Sequence, residues 1–415
     1  MKKLIVLLSA ATVSLSAYAQ DAGPQFKIYG FVRNFFSLDS RDGVSGTDDF
    51  FYYMPKDLDI NPADGTDANA VTSFRFAALT TRVGLDIVGY QVRDWEINAR
   101  IEGDFCAGLT GTTGAALFRF RQAYVTLARN AFSIKIGQGW HPMAADLPDV
   151  FSVSAGAPFG PFSRTPEVVA DIKLGNAVTL MAAALWQMQY TSSGPDGASA
   201  DYIKYGCIPE FYAGLSFTTG GFLARVGADV LSISPSMYSY MGEIRKNRIT
   251  TVSPLLYMQY KSGDFSVKFK SVFAQAGEHM NLNGGYGVSA FGTDGSTGYA
   301  PTRNSSSWLS FSYVLNNWQF VMFGGYVKNF GCKDKIIDKD HLYFSKNSFS
   351  NMNCMWRLTP TVVYNLGKVA LGLEYELTGV RYGSFDTSKE FYGLATKDLH
   401  DVSNNRFNAF VKYSF

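Results

Sequence analysis

Segments that alternate apolar and polar side chains recur along this chain and limit its possible folds. In residues 403–415, Phe407, Val411 and Tyr413 fall on one face, and mostly polar side chains fall on the other. A period of two residues indicates an extended strand. We count about sixteen such segments, most of them long enough for the residues that a tilted membrane strand needs. They cover residues 26–37, 73–88, 95–105, 117–128, 131–140, 166–174, 177–190, 208–218, 221–233, 248–260, 264–276, 305–314, 317–328, 354–364, 368–380 and 403–415.

The connections between these segments alternate in length. Every second one is a short turn, such as Gly89–Asp94, Ser262-Gly263 or Leu366-Gly367. Short turns at one end and long loops at the other are typical of outer-membrane barrels, whereas a soluble sandwich has no reason to sort its loops. We therefore predict an all-β fold, a transmembrane antiparallel β-barrel of about 16 strands with short periplasmic turns and long extracellular loops. The long connections are residues 38–72, 106–116, 141–165, 191–207, 234–247, 277–304, 329–353 and 381–402.

The amino-terminal residues have the pattern of a secretory signal. Lys2 and Lys3 precede an apolar run, and Ala17-Tyr18-Ala19 provides a small-residue cleavage site. We predict a signal peptide at 1–19, a barrel domain at 20–415, and export to the outer membrane of a Gram-negative cell. Without the two signal lysines, the 37 basic residues become 35 against 35 acidic ones, so we expect no nucleic-acid partner.

Charged side chains occupy one face of several segments. Along residues 264–276, Phe265 and Phe273 oppose Lys268 and Lys270. A charge on the lipid face at the bilayer centre costs about 2–4 kcal/mol, so these rows must face the lumen. We expect a wet interior, since a barrel of about sixteen strands is wide enough for an aqueous channel. A dry, side-chain-packed interior would contradict this interpretation.

The stretch from Leu117 to Arg164 carries a family resemblance. It contains Phe118-Arg119-Phe120-Arg121, then Gly137-Gln138-Gly139-Trp140, then a loop rich in proline and glycine at 141–165. With the aromatic carboxyl-terminal Phe415, this stretch resembles the trimeric, sixteen-stranded outer-membrane porins of the DcaP-like type. The resemblance implies a passive channel for small hydrophilic solutes. It also implies a homotrimer in a lipid bilayer with lipopolysaccharide in its outer leaflet.

The long loop at 141–165 is the third long one, and general porins fold a loop at this position into the barrel. It is apolar for a surface loop, with Met143, Phe151 and Phe159 among its residues, and four prolines stiffen it. Such a loop left in water would be an exposed apolar patch. We predict that it folds inward, the alternative being that it packs over the barrel mouth or on a neighbouring subunit. Its only acids are Asp146 and Asp149, unlike the acid-rich constriction of general porins.

The predicted constriction sets the two loop acids against basic wall residues, and we expect the solutes that it admits to include anions. Opposed charges create a transverse field, and two arginines on one face can bind a carboxylate bidentately. The alternative for most of these residues is an ion pair that stiffens the wall, with acids such as Glu102, Asp104, Glu374 and Glu376 as partners. The predicted basic residues are Arg33, Arg82, Arg100, Arg119, Arg121, Lys135, Arg225, Lys268, Lys270, Arg357 and Arg406.

One strand conflicts with a simple period of two. If Arg119 and Arg121 face the lumen, the same phase places Val125 and Leu127 there too. Either a bulge near Gln122 or burial of this strand at a subunit interface resolves the conflict.

Other chemistry is sparse. The four histidines, His141, His279, His341 and His400, fall in predicted loops without the spacing of a zinc site, and we predict no catalytic, cofactor or metal site. Two alternatives to a porin remain, a secreted soluble glycan-binding β-protein and an outer-membrane barrel enzyme. Disulfides are expected after export, and four cysteines allow three pairings. Cys332 and Cys354 bracket the seventh long loop and form one possible pair, which leaves Cys106 with Cys207.

Overall fold

A computed structural model describes residues 23–108, 115–244, 247–344, 350–386 and 388–415. The predicted signal peptide, residues 1–19, lies outside the described residues. Within the described ranges, no helix has both the length and the apolar character that a membrane-spanning helix needs.

Strands make up most of the described chain, which has one short α-helix, α1 (Asp201–Gly206). The strands are β1 (Gln25–Asp39), β2 (Gly43–Gly46), β3 (Phe51–Pro55), β4 (Ser73–Ala77), β5 (Arg82–Val92), β6 (Trp95–Asp104), β7 (Arg119–Arg129), β8 (Phe132–Trp140), β9 (Arg164–Leu174), β10 (Val178–Leu185), β11 (Glu210–Thr219), β12 (Phe222–Ile233), β13 (Ile249–Ser262), β14 (Phe265–Gln275), β15 (Gly285–Phe291), β16 (Thr297–Leu315), β17 (Trp318–Cys332), β18 (Leu342–Phe344), β19 (Met352–Leu366), β20 (Val369–Phe385) and β21 (Ala395–Ser414).

The strands form one closed antiparallel barrel. Nineteen of them are linked in a single sheet. Strands β15 and β18 belong to long loops, and β4 and β5 are two parts of one interrupted strand, which leaves sixteen barrel strands. The barrel closes through β1, which pairs with β5 along its first half and with β21 along its second. Each of the predicted segments corresponds to a barrel strand, so the predicted fold is confirmed.

Side chains alternate between an apolar outer wall and a polar interior. On β20, Leu373 is 62% exposed on the outside, whereas Glu376 is 1% exposed on the inside. Phe273 and Lys270 are divided in the same way on β14. An outer wall of exposed aromatic and aliphatic side chains suits lipid and is far larger than the apolar patches of soluble proteins. This distribution contradicts the soluble glycan-binding alternative.

The short turns use residues that tolerate left-handed backbone. Asn130 and Asn316 have φ of +53°, and Gly263 and Gly367 have φ of +55° and +59°. Such residues form the two-residue turns that match the twist of paired strands. The turn predicted at 89–94 is shorter than expected, because β5 continues to Val92 and its ladder with β6 is irregular between Ile87 and Tyr90.

Strand β7 contains a bulge, the first of the two alternatives that its sequence left open. Glu102 pairs with Gln122, and the next residue, Gly103, pairs with Phe120, so Arg121 is an extra residue in the ladder. The bulge resets the phase of the strand. Arg121 is therefore buried inside, while Val125 is exposed on the outer wall.

Two long loops fold into the barrel. The third long loop, now bounded at residues 141–163, enters as predicted. The first long loop, residues 40–72, also enters with its β2–β3 hairpin, which the sequence analysis did not predict. Together they form an apolar cluster with the wall, and this cluster fills part of the lumen. The cluster includes Phe51, Tyr53, Phe159, Phe162, Tyr257, Trp308 and Phe323.

Candidate pore constriction

The first half of the third long loop is attached to the wall formed by β12 and β14. Arg225 Nη1 donates to both carboxylate oxygens of Asp146 at 2.6 Å, and Lys268 Nζ donates to Asp149 Oδ1 at 2.6 Å. Buried Lys270 donates to the carbonyl oxygens of Met143 and Asp146 at 3.0 and 2.5 Å. Both loop acids are thus paired with wall cations and serve as anchors.

The middle of the loop reaches the opposite wall. The backbone amides of Phe151 and Ser152 donate to the Glu374 carboxylate on β20 at 3.0 and 3.1 Å. Arg33 Nη1 on β1 donates to the Phe151 carbonyl oxygen at 3.2 Å. The Phe151 ring contacts Phe410 with a centroid separation of 4.4 Å. The loop therefore crosses the lumen and is held on both sides.

A cluster of arginines lies beside the loop on β5 and β7. Arg119 donates to both oxygens of Asp104 at 2.9 and 3.1 Å. Arg121 donates to Glu102 at 2.7 Å and to Asp104 at 2.9 Å, while Arg82 lies 3.7 Å or more from the same acids. Three guanidinium groups thus share two carboxylates, so this part of the wall carries a net positive charge.

Two adjoining cavities lie along this basic wall. The first, about 390 Å³, is lined by the arginine cluster, by Arg33 and by Val150 and Phe151 of the third long loop. The second, about 480 Å³, shares Phe51, Cys106 and Arg119 with the first. The basic side chains therefore face open space as well as their carboxylate partners.

Arg164, the first residue of β9, is a buried basic residue that the predicted set omitted. It is 1% exposed, and its guanidinium stacks on Trp140 and Phe162 at 4.7 and 5.3 Å from the ring centroids. Neither Nη1 nor Nη2 has a hydrogen-bond partner in the described part of the chain. Arg164 and Arg119 both line the second cavity, and its described lining residues include no carboxylate. At the junction of a loop and a strand, the alternation of inward and outward side chains has only begun. The direction of the Arg164 side chain therefore could not be predicted.

The other predicted residues form ion pairs within the barrel. Arg100 binds Asp86 at 2.7 Å, and Lys135 binds Glu167 at 2.6 Å. Arg357 and Arg406 each lie 4.9 Å from the ring centroid of Tyr52 in the first long loop. Their nearest carboxylates are Glu376 for Arg357, at 3.6 Å, and Asp39 for Arg406, at 3.4 Å. For these residues the wall-stiffening alternative describes the contacts seen.

The predicted disulfides do not form in the structure, where all four cysteines are free thiols. Cys354 pairs across the ladder with Lys328, four residues before Cys332 on β17. That offset corresponds to about 13 Å along a strand, whereas a disulfide needs Cα atoms within about 7 Å. Cys106 is buried in the lumen, and Cys207 is exposed after α1. The predicted pairing of Cys332 with Cys354 is therefore wrong. The two residues bracket the same loop, but the register between β17 and β19 keeps them apart.

The fold is similar to that of solved outer-membrane proteins. The outer membrane channel DcaP of Acinetobacter baumannii is 20% identical, with a TM-score of 0.68 over 96% of this chain and 99% of that one. OmpT of Vibrio cholerae is 11% identical, with a TM-score of 0.54 over 95% and 99%. OmpF of Salmonella typhi, in complex with daunomycin, is 12% identical, with a TM-score of 0.50 over 95% and 98%. No family model and no curated protein matches the sequence. The chain thus has the sixteen-stranded barrel fold of the porin type, as its resemblance to DcaP-like porins implied.

Proposed function

We propose that this protein is a passive outer-membrane channel for small hydrophilic solutes and that it prefers anions. The observation that carries this proposal is a cavity of about 480 Å³ that is lined by Arg119 and Arg164 and, among its described lining residues, by no carboxylate. A guanidinium binds carboxylates and phosphates in a defined geometry. The cavity therefore offers a binding position to a passing anion.

The charge balance along the wall supports the same preference. Five guanidinium groups line the two adjoining cavities, and their described carboxylate partners there are Glu102 and Asp104. An excess of positive charge in a confined, low-dielectric space raises the local concentration of anions. The guanidinium groups are those of Arg33, Arg82, Arg119, Arg121 and Arg164.

The third long loop narrows the channel without opposing anions. Its acids Asp146 and Asp149 are neutralised by Arg225 and Lys268, so they present little free negative charge. Asp149 and Lys268 also line a third cavity of about 360 Å³ that extends to the short turn at Gly263. Open space is thus present on both sides of the loop, as a route for hydrated solutes requires.

The proposal also covers the location of the channel and its assembly. We place the barrel, residues 20–415, in the outer membrane of a Gram-negative cell after removal of residues 1–19. Lipid and lipopolysaccharide surround its apolar wall, and it assembles as a homotrimer. A trimer form has been solved for OmpT of Vibrio cholerae, a protein with the same fold. The similar solved structures are mainly channels, which favours transport over catalysis.

Conductance in planar lipid bilayers tests the proposal. We expect steady ohmic steps from the purified protein, with a reversal potential in a KCl gradient displaced toward that of chloride. Arg164→Gln should move the reversal potential toward zero. Arg129→Gln, which removes an exposed arginine paired with Asp94 near a short turn, should leave it unchanged. A silent bilayer would refute the channel, and a cation-selective reversal potential would refute the anion preference.

A further inference from the structure

Four titratable side chains meet where the third long loop enters the barrel. They are His141, Glu210, Asp229 and His279, each 1–2% exposed. His141 Nε2 lies 2.7 Å and His279 Nε2 lies 3.2 Å from Glu210 Oε1. The two imidazoles lie 3.9 and 3.8 Å from the oxygens of Asp229. The group is separate from the arginine-lined cavities.

The fold collects these residues from distant parts of the chain. Glu210 opens β11, and Asp229 lies on the inner face of the neighbouring strand β12. His141 begins the third long loop, and His279 belongs to the 3₁₀ turn Gly277–Met280 of the sixth long loop. Because two loops and two strands supply one group each, no spacing in the sequence predicts the cluster.

The charge balance of the cluster calls for a cation. In the described chain, Glu210 and Asp229 have no lysine or arginine nitrogen within 4.0 Å, and the basic side chains beside them are the two histidines. Asp229 Oδ1 is buried without a hydrogen-bond partner in the same residues. Two buried carboxylates carry two negative charges, which is costly unless protons or a metal ion neutralise them.

Hydrogen bonds assign different roles to the two imidazoles. His279 Nδ1 lies 3.1 Å from the carbonyl oxygen of Ala276, so this nitrogen carries a proton and Nε2 faces the carboxylates. Metal-binding histidines commonly have this arrangement. His141 Nδ1 accepts from the amide of Met143 at 3.1 Å, so its Nε2–H donates to Glu210. His279 is thus oriented as a ligand, and His141 holds a ligand in place.

We propose that His279 Nε2, Glu210 and Asp229 bind a divalent first-row transition-metal ion such as zinc. The separations of 3.2 and 3.8 Å between His279 Nε2 and the two carboxylates suit zinc, whose tetrahedral ligands lie about 3.3 Å apart. Imidazole favours such metals over magnesium and calcium, which prefer oxygen ligands alone. One divalent ion bound by Glu210 Oε1 and Asp229 Oδ2, the carboxylate oxygens near His279 Nε2, neutralises both carboxylates.

The ion would join the sixth long loop to the wall at the point where the third long loop begins. Through His141 and Glu210, it would fix the entry of the third long loop into the lumen. This role is independent of the proposed channel function, since binding is measured without transport.

Isothermal titration of the folded, detergent-solubilised protein with zinc chloride, after treatment with a chelator, tests the proposal. We expect one zinc ion per chain. His279→Gln and Asp229→Asn should each weaken binding at least tenfold, whereas His341→Gln, which changes a histidine outside the cluster, should not. Heat-modifiable migration on gels verifies that each variant is folded. Failure of the wild-type protein to bind zinc would overturn the proposal, as would unchanged affinity in a folded His279→Gln variant.

Discussion

Phe159 of the third long loop lies directly on the backbone of Gly325 in β17. A Cβ atom built on Gly325 would lie 2.4 Å from Cγ of Phe159, closer than any real contact. The ring also packs edge-on against Phe323, with a centroid separation of 6.0 Å. The absence of a side chain at Gly325 therefore decides how far the loop descends into the barrel.

Gly325→Ala should displace this part of the loop. The overpacked methyl group should cost about 1–3 kcal/mol in the free energy of unfolding and change the conductance of single channels. Gly324→Ala is the matched control, because a Cβ there meets no atom within 4 Å. Equal stability and conductance for the two variants would show that the loop does not rest on Gly325.

The pair Asp146–Arg225 should contribute measurably to stability. The pair is largely buried, so a double-mutant cycle with Asp146→Asn and Arg225→Gln should give a coupling energy of about 1 kcal/mol in denaturant unfolding. The pair Arg381–Asp401 has a similar separation, 2.8 Å, but both side chains are exposed. Its cycle should give a coupling energy near zero, and a coupling as large as that of Asp146–Arg225 would contradict the anchoring role.

Glu374→Gln should loosen the middle of the loop. An amide can offer only one oxygen to the Phe151 and Ser152 amides that the carboxylate oxygens now bind. We expect greater current noise in single-channel records of this variant, because the loop loses part of its attachment to β20. Glu96→Gln changes an exposed acid near a short turn and serves as the control. Noise that is equal in both variants would argue against this attachment.

The thiols should react according to their burial. Burial raises the pKa of the Cys106 thiol, so it stays protonated and unreactive near neutral pH. Exposed Cys207 should therefore be labelled by a maleimide in the folded protein, and Cys106 only after unfolding. Four reactive thiols per chain are expected in denaturant without reductant. Two or none would restore the disulfides that the sequence suggested.

The barrel was predictable because lipid and water act on opposite faces of every strand. A charge such as Lys270 cannot face lipid, so the period of two fixes the direction of each side chain. The bulge at Arg121 was also visible in the sequence, because it broke the alternation along its strand. The third long loop was predictable from its apolar composition. The inward path of the first long loop was not, because its Phe51–Pro55 segment is short and flanked by acidic residues. The direction of Arg164 and the meeting of His141 with His279 depend on tertiary register, which no local pattern contains.

The inward hairpin β2–β3 has a consequence for the order of assembly. It follows β1 near the start of the chain, yet Arg357 donates to the Tyr53 carbonyl oxygen and Tyr382 donates to that of Pro55, across 304 and 327 residues. These partners belong to β19 and β20, near the end of the chain, whereas the hairpin follows β1. Pairings between such distant residues form slowly because of the large loop they close. We therefore expect the β2–β3 hairpin to reach its final position only after β1 has paired with β21. The time at which the hairpin becomes protected from proteases would then report the closure of the barrel.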